Sequence, residues 1–233
     1  MEALSSTDIF ATKGIEYLIV LIYLVLLVGF WRLLAQPRVA RTGAASQPAN
    51  ARMRGLFEVR DAFYYHQGHV WALPEAQSIV RVGMDDFAMR LLGRPGSFNL
   101  PAVGKRLRQG ERGWVIEVGS ESIPVLSPVD GQVVAVNTDV LDSPGLALAE
   151  PHDRGWLLKV RVGNGRVRLK NLLTGRLARA WMSQTVEKVR QMQAGELGIV
   201  MPDGGIPVDG FIRVLAPDRW AEVAREFLLS NEE

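Results

Sequence analysis

Cysteine is absent from all 233 residues, which excludes disulfides, thiolate metal sites and cysteine nucleophiles. Lysine is scarce: among 27 cationic side chains only Lys13, Lys105, Lys159, Lys170 and Lys188 carry a primary amine, and the rest are arginine. Histidine occurs only as His66, His69 and His152. In a strand-like stretch from Tyr64 to His69, the odd spacing would send His66 and His69 to opposite faces, so no metal set is assigned. Asp85-Asp86 reads as a helix start rather than as a catalytic carboxylate pair. There is no Gly-x-Ser-x-Gly elbow, no Walker-type loop and no nucleophile–base set; Gly163-Asn164-Gly165 is a turn signal without the helix that a phosphate loop needs. The net charge is only +2, and no basic stripe interleaved with aromatics appears, so nucleic acid is not an expected partner. The chain reads as a non-enzyme.

What is present begins with one long apolar run. Residues 15–35 hold no charge between Tyr17 and Trp31, and Tyr17 to Ala35 as a helix would cover about 28 Å, near the hydrocarbon thickness of a bilayer. Tyr17 and Trp31 stand where interfacial aromatics belong, and Arg32 can snorkel outward. The leader carries Glu2, Asp8 and Glu16 against Lys13 alone, unlike a cleaved signal peptide. Arg32, Arg38, Arg41, Arg52 and Arg54 follow with no acid before Glu58. This excess places the C-terminal side in the cytoplasm. The expectation is a single-pass protein of a bacterial-type inner membrane: a short outer N-terminus (1–14), a transmembrane helix (15–35), a flexible linker rich in Ala, Arg, Gly, Ser and Pro (36–56), a β domain (57–165) and a helical extension (166–233). The bilayer is then its first partner. A second arginine cluster, around 161–179, reads either as a solvated surface or as an attraction to anionic headgroups.

After the linker come short apolar runs bounded by turn residues, the pattern of an antiparallel β protein. Strands are expected at 78–83, 114–117, 131–136 and 155–160, with a short helix at 85–93 capped by Asp85 or Asp86 and closed by Gly93. From Gly175 to Gln193 the period becomes helical, with Leu177, Ala178, Trp181, Met182, Val186, Val189 and Met192 on one stripe. A last helix is expected from Pro217, with Trp220, Val223, Ala224, Phe227 and Leu228 facing a core or a partner.

Between His69 and Val160 a series of short motifs stands in order. They are His69-x-Trp71; Val82-Gly83-Met84-Asp85-Asp86-Phe87-Ala88 with Leu92-Gly93; Leu100-Pro101-Ala102-Val103-Gly104; Ser127-Pro128-Val129-Asp130-Gly131-Gln132-Val133-Val134-Ala135-Val136-Asn137; and Glu150-Pro151 followed by Gly155-Trp156-Leu157. This series resembles the H protein of the glycine cleavage system. The resemblance implies a mainly β, lipoyl-like barrel-sandwich hybrid, with His69, Trp71, Gly83, Asp86, Gly104, Ser127, Pro128, Gly131, Asn137, Gly155 and Trp156 as structural markers. It also implies a lipoyl group on a lysine at a hairpin tip, within Glu-Ser-x-Lys-Ala and ahead of Ser-Pro-x-x-Gly. Here the run is Glu117-Val118-Gly119-Ser120-Glu121-Ser122 leading to Ser127-Pro128, and Ser120 takes the lysine's place. A hydroxyl cannot form the lipoyl amide, so no cofactor is expected, lipoate included. The expected function is a membrane-anchored, non-lipoylated H-like docking or structural subunit, with protein partners in a membrane-associated complex of redox type. The alternatives are a carrier in one-carbon or sulfur metabolism with its group on another residue, and an adaptor of efflux-pump type. The last would need a long helical hairpin between its lipoyl halves, where only about ten residues separate Glu117 from Ser127.

Overall fold

The computed structural model describes residues 17–28, 57–76, 78–163, 169–193 and 208–230, in two compact units, Met1–Ser46 and Gln47–Glu233. In the first unit, residues 17–28 form helix α1, every residue of it exposed. Twelve residues of α-helix rise only about 18 Å, and no helix among the described residues is long and apolar enough to cross a membrane. The flanks of the expected span (15–16 and 29–35), the linker 36–56 and residues 1–14 lie outside the described residues.

The second unit is mainly β. Its strands are β1 (Tyr64–His66), β2 (Val70–Ala76), β3 (Ile79–Met84), β4 (Ser97–Asn99), β5 (Arg106–Leu107), β6 (Arg112–Val118), β7 (Glu121–Leu126), β8 (Gly131–Val136) and β9 (Leu158–Arg161). They form a six-stranded sheet in the order β1-β2-β3-β9-β8-β5 and a three-stranded sheet β4-β6-β7, with every pairing antiparallel. Val80, Val82, Val133 and Val160 from the larger sheet meet Ile116, Val118, Ile123 and Val125 from the smaller in one core. Burial of these β-branched side chains, each worth about 1.5–3 kcal/mol, is what holds the two sheets together.

Helix α2 (Asp86–Leu92) lies where the sequence places it: the Asp85 side chain accepts from Ala88 N, and Gly93, at φ 79°, closes the last turn by donating to Met89 O. Two short helices, α3 (Thr138–Asp142) and α4 (Leu146–Ala149), carry too few residues for a periodicity to show. Strand β9 begins at Leu158 rather than at 155, because Gly155 is still folding back onto Glu150 O at 2.8 Å. The stretch 64–69 is not one strand: β1 ends at His66 and the chain turns through Gly68 and His69, whose φ is +62°. The opposite-face argument for His66 and His69 therefore does not apply.

Helix α5 (Gly175–Gln193) has the expected bounds. Ala178, Met182, Val186 and Val189 are buried, whereas Leu177 is 68% exposed and leaves the stripe. The last helix, α7, is Trp220–Phe227 and not a helix from Pro217; the preceding residues are used by α6 (Ile212–Leu215) and by a turn in which Arg219 N donates to Ala216 O. Both helical stripes pack onto the domain. Phe87, Leu91, Met182, Val186, Phe211, Ile212, Val223 and Phe227 share one cluster, and Ala224 and Leu228 join the main core.

Candidate functional site

The hairpin β6–β7 pairs Glu117 with Ser122 and Val118 with Glu121, leaving Gly119 and Ser120 as a two-residue turn. Gly119 takes φ +65° and Ser120 is not among the positive-φ residues, the arrangement of a type II′ turn, which matches strand twist and favours glycine first. Both turn residues are exposed, and a Cβ at Gly119 would meet nothing within 4 Å. The tip is thus a projecting, sterically empty knuckle with a serine at its apex. Such a tip holds no amine. Lys159 is engaged by Glu75 at 2.8 Å and Lys188 by Glu226 at 2.7 Å. Lys105 sits in the loop before β5, and Lys170 follows β9 near Gln109. The residues present at the tip do not fit a lipoyl amide. A two-residue turn also leaves no inserted helical hairpin of the efflux-adaptor kind.

The tip is held from its β7 side. Arg225 of α7 reaches Glu121 at 3.2 Å and donates to Ser122 O at 3.2 Å, while Ser122 Oγ donates to Glu117 at 2.7 Å. Beside it opens a cleft of about 730 Å³ lined by Gly119, Arg94 to Gly96, Asp142 to Leu146 and Ala149.

The remaining markers form the frame that carries this hairpin. Trp71 is fully buried and lies opposite Gly83; a Cβ there would sit 2.4 Å from the indole, so only glycine admits the ring. The indole N–H donates to Met84 O (2.8 Å) and Pro151 O (3.1 Å), joining β3 to the 150–155 turn. His69 Nδ1 is 2.8 Å from Asp85 Oδ2, both side chains buried, with the His69 ring between Phe87 and Trp181 at 4.3 and 4.6 Å. Of the two candidate caps it is Asp85 that holds both the helix start and the histidine; Asp86 bonds Arg90 one turn on at 2.8 Å. Gly104, at φ 94°, donates to Val133 O. Ser127 Oγ donates to Val129 O beside buried Pro128. Gly131 lies against the β9 backbone, where a Cβ would meet Arg161 O at 2.5 Å. Asn137 caps α3 and donates to Arg154 O and Trp156 O. Trp156 is half-buried with the Lys159 ammonium 5.3 Å over its ring. These markers lie on the six-stranded sheet and in the turns and helices around it, and none gathers at the tip.

His152, singled out by no motif, is buried against Phe63, Tyr65 and Trp71. Burial holds its pKa below the ordinary histidine range and outweighs the Asp85 and Glu58 charges, although Glu58 Oε2 is 3.7 Å from its Nδ1. Burial likewise lowers His66, pushes the Tyr65 phenol up and raises Asp86 against the pull of Arg90. Among the described residues no group of three or more His, Asp or Glu side chains could hold a metal ion. These shifts report an apolar interior, which the sequence pattern does not reveal.

The family model of the glycine cleavage H-protein matches residues 63–185, more than half of the chain, and it extends past Val160 into α5. An H-like protein of the glycine cleavage system from Chlamydia pneumoniae is 36% identical over 99 residues, covering 42% of this chain and 86% of that one. The glycine cleavage system H protein of Mycobacterium avium is 37% identical over 109 residues, 47% of this chain and 83% of its own. The crystal structure of the H protein from Mycobacterium marinum superposes with a TM-score of 0.46 at 29% identity, covering 55% of this chain and 99% of that one. The family is one of lipoyl carriers and not of enzymes. By the extent of the family match and the identity of these relatives, this chain belongs to the glycine cleavage H-protein family.

Proposed function

We propose that the chain is a membrane-anchored, non-lipoylated member of the H-protein family that serves as a docking or structural subunit of a membrane-associated complex. The observation that carries the reading is Ser120 at the apex of the hairpin. The frame around the hairpin keeps its packing and hydrogen bonds, while the position that would bear a cargo offers only a hydroxyl. A protein that keeps such a frame without an amine at the tip is suited to being bound rather than to shuttling a group. The anchor is supported by the apolar run 15–35 and by α1, a helix apolar on every side with all of its described residues exposed. A helix of that kind is stable only inside a protein core or a bilayer. The arginines between 32 and 54 support an orientation with the β domain in the cytoplasm. A redox complex is the partner class that fold-level analogy suggests.

The test is purification of the full chain from its own membranes in mild detergent. A stable co-purifying protein partner is the expected result. Recovery of a lone monomer after chemical cross-linking in intact membranes would overturn the docking role. Recovery from the supernatant of carbonate-washed cells would overturn the anchor.

A further inference from the structure

The outer face of the larger sheet carries a cationic row. In register across three strands stand Arg106, Gln132 and Arg161, and Arg161 pairs onward with Ile79. Residues directly opposite in an antiparallel pair share a face, and strands lie about 4.8 Å apart. The two guanidinium groups therefore rise from one row, with their backbones roughly 10 Å apart. Arg106, Gln132 and Arg161 are exposed, while their strand neighbours Leu107, Val133 and Val160 point into the core. Two residues along, the same face carries Lys159 opposite Arg81, both drawn to Glu75 at 2.8 and 3.1 Å.

Several cations of this domain are already paired with a carboxylate, among them Arg60, Arg90, Arg154, Arg179, Lys188 and Arg225. Arg106 and Arg161 make no side-chain hydrogen bond or ion pair with any described residue. They open onto a cleft of about 850 Å³ that also contains Arg108. Its acids are Glu111, 3.4 Å from Arg108, and Asp130, which accepts from the backbone N–H of Gln109.

We propose that this face, built on the unpaired Arg106 and Arg161, is an electrostatic docking surface for the anionic headgroups of a lipid leaflet. The proposal rests on the membrane-anchored reading above. Two observations favour lipid over an acidic protein. Only 28 residues lie between α1 and Phe57, so at full stretch the domain stays within roughly 100 Å of an anchored α1, and headgroups are its most concentrated anion. The row also lacks an exposed aromatic or large apolar side chain at its centre, where a protein interface places its hot spots. Each cation brought to an anionic surface is worth about a fivefold gain in partitioning. Orientation of the domain, rather than its attachment, is what the face would set.

The test uses the full chain in vesicles of phosphatidylcholine alone or with phosphatidylglycerol, labelled with phenylglyoxal and read arginine by arginine by mass spectrometry. Arg106 and Arg161 are expected to react several-fold more slowly on phosphatidylglycerol vesicles at low salt and to recover at high salt. Arg176 on α5 serves as the reference. Equal labelling on both vesicle types overturns the proposal while leaving the anchor intact. Flotation separates the two readings. A chain that fails to float with neutral vesicles has lost the anchor. Salt-sensitive flotation on phosphatidylglycerol, lost in Arg106→Gln/Arg161→Gln, would then uphold the face alone, and no such flotation would remove it. Protection in native membranes but not on phosphatidylglycerol vesicles would assign the face to an acidic protein and overturn the lipid assignment.

Discussion

The seam around Trp71 and the hairpin tip at Ser120 belong to one β domain and are specified in opposite ways. At the seam the indole lies on Gly83 and ties Met84 O to Pro151 O, and Asp85 holds His69 while capping α2. Each of these residues answers to several atoms, and few other side chains would satisfy them all. At the tip, Gly119 and Ser120 touch almost nothing, so packing neither selects the residue nor penalises a change. A lysine there would be held by function alone. The difference teaches that a fold can be rigidly encoded at its packed seams while an exposed tip is left free to vary.

The comparison breaks if the seam tolerates change or the tip does not. Trp71→Ala is expected to cost about 3–5 kcal/mol, the range for deleting a buried aromatic, read by denaturant unfolding of the full chain in detergent. Asp85→Ala removes a helix cap, worth about 1 kcal/mol, and leaves His69 buried without its partner, for about 1–3 kcal/mol more. Asp85→Asn keeps the cap and should lose less. Arg225→Ala, which frees β7 from α7, should cost at most about 1 kcal/mol, since the pair is partly exposed.

Acid sharpens the same contrast. His152 and His66 titrate below the ordinary histidine value of 6.5 in the folded protein because they are buried. As pH falls below that value the unfolded chain takes up protons that the folded chain does not, so stability declines from there down to the folded pKa values. Stability near pH 8 should exceed that near pH 5, and His152→Gln should flatten the slope; a slope unchanged by that substitution would contradict the burial argument. The smallest effect belongs to the tip. Ser120→Lys should shift stability by less than about 0.5 kcal/mol, yet it restores an amine at the apex and should become a substrate when a lipoyl ligase is co-expressed. Rejection of that variant would mean that more than the lysine has been lost.

Legibility in the sequence follows the same division. The motifs from His69 to Trp156 could be read because they are answers to contacts: Gly83 under an indole, Gly131 against the β9 backbone, Asn137 bridging to Trp156. The bounds of α5 were readable from its period. Strand β7 was not expected, because Pro124 interrupts its alternation, nor β5, which has only two residues. The caps of α2 were foreseen, but choosing Asp85 over Asp86 needed the position of His69, sixteen residues back. His152 has no local signal; its burial comes from Phe63, Tyr65 and Trp71 converging from other parts of the chain. The register that lines up Arg106 with Arg161 likewise exists only once β8 lies between them.

The central claim is a carrier fold without its cargo, and the most direct test is the intact mass of the full chain from its native membranes with peptide mapping across Glu117 to Pro128. The account predicts an unmodified chain and an unmodified Ser120. A mass increase of lipoyl size on any residue would contradict it and return the protein to the carriers of its family.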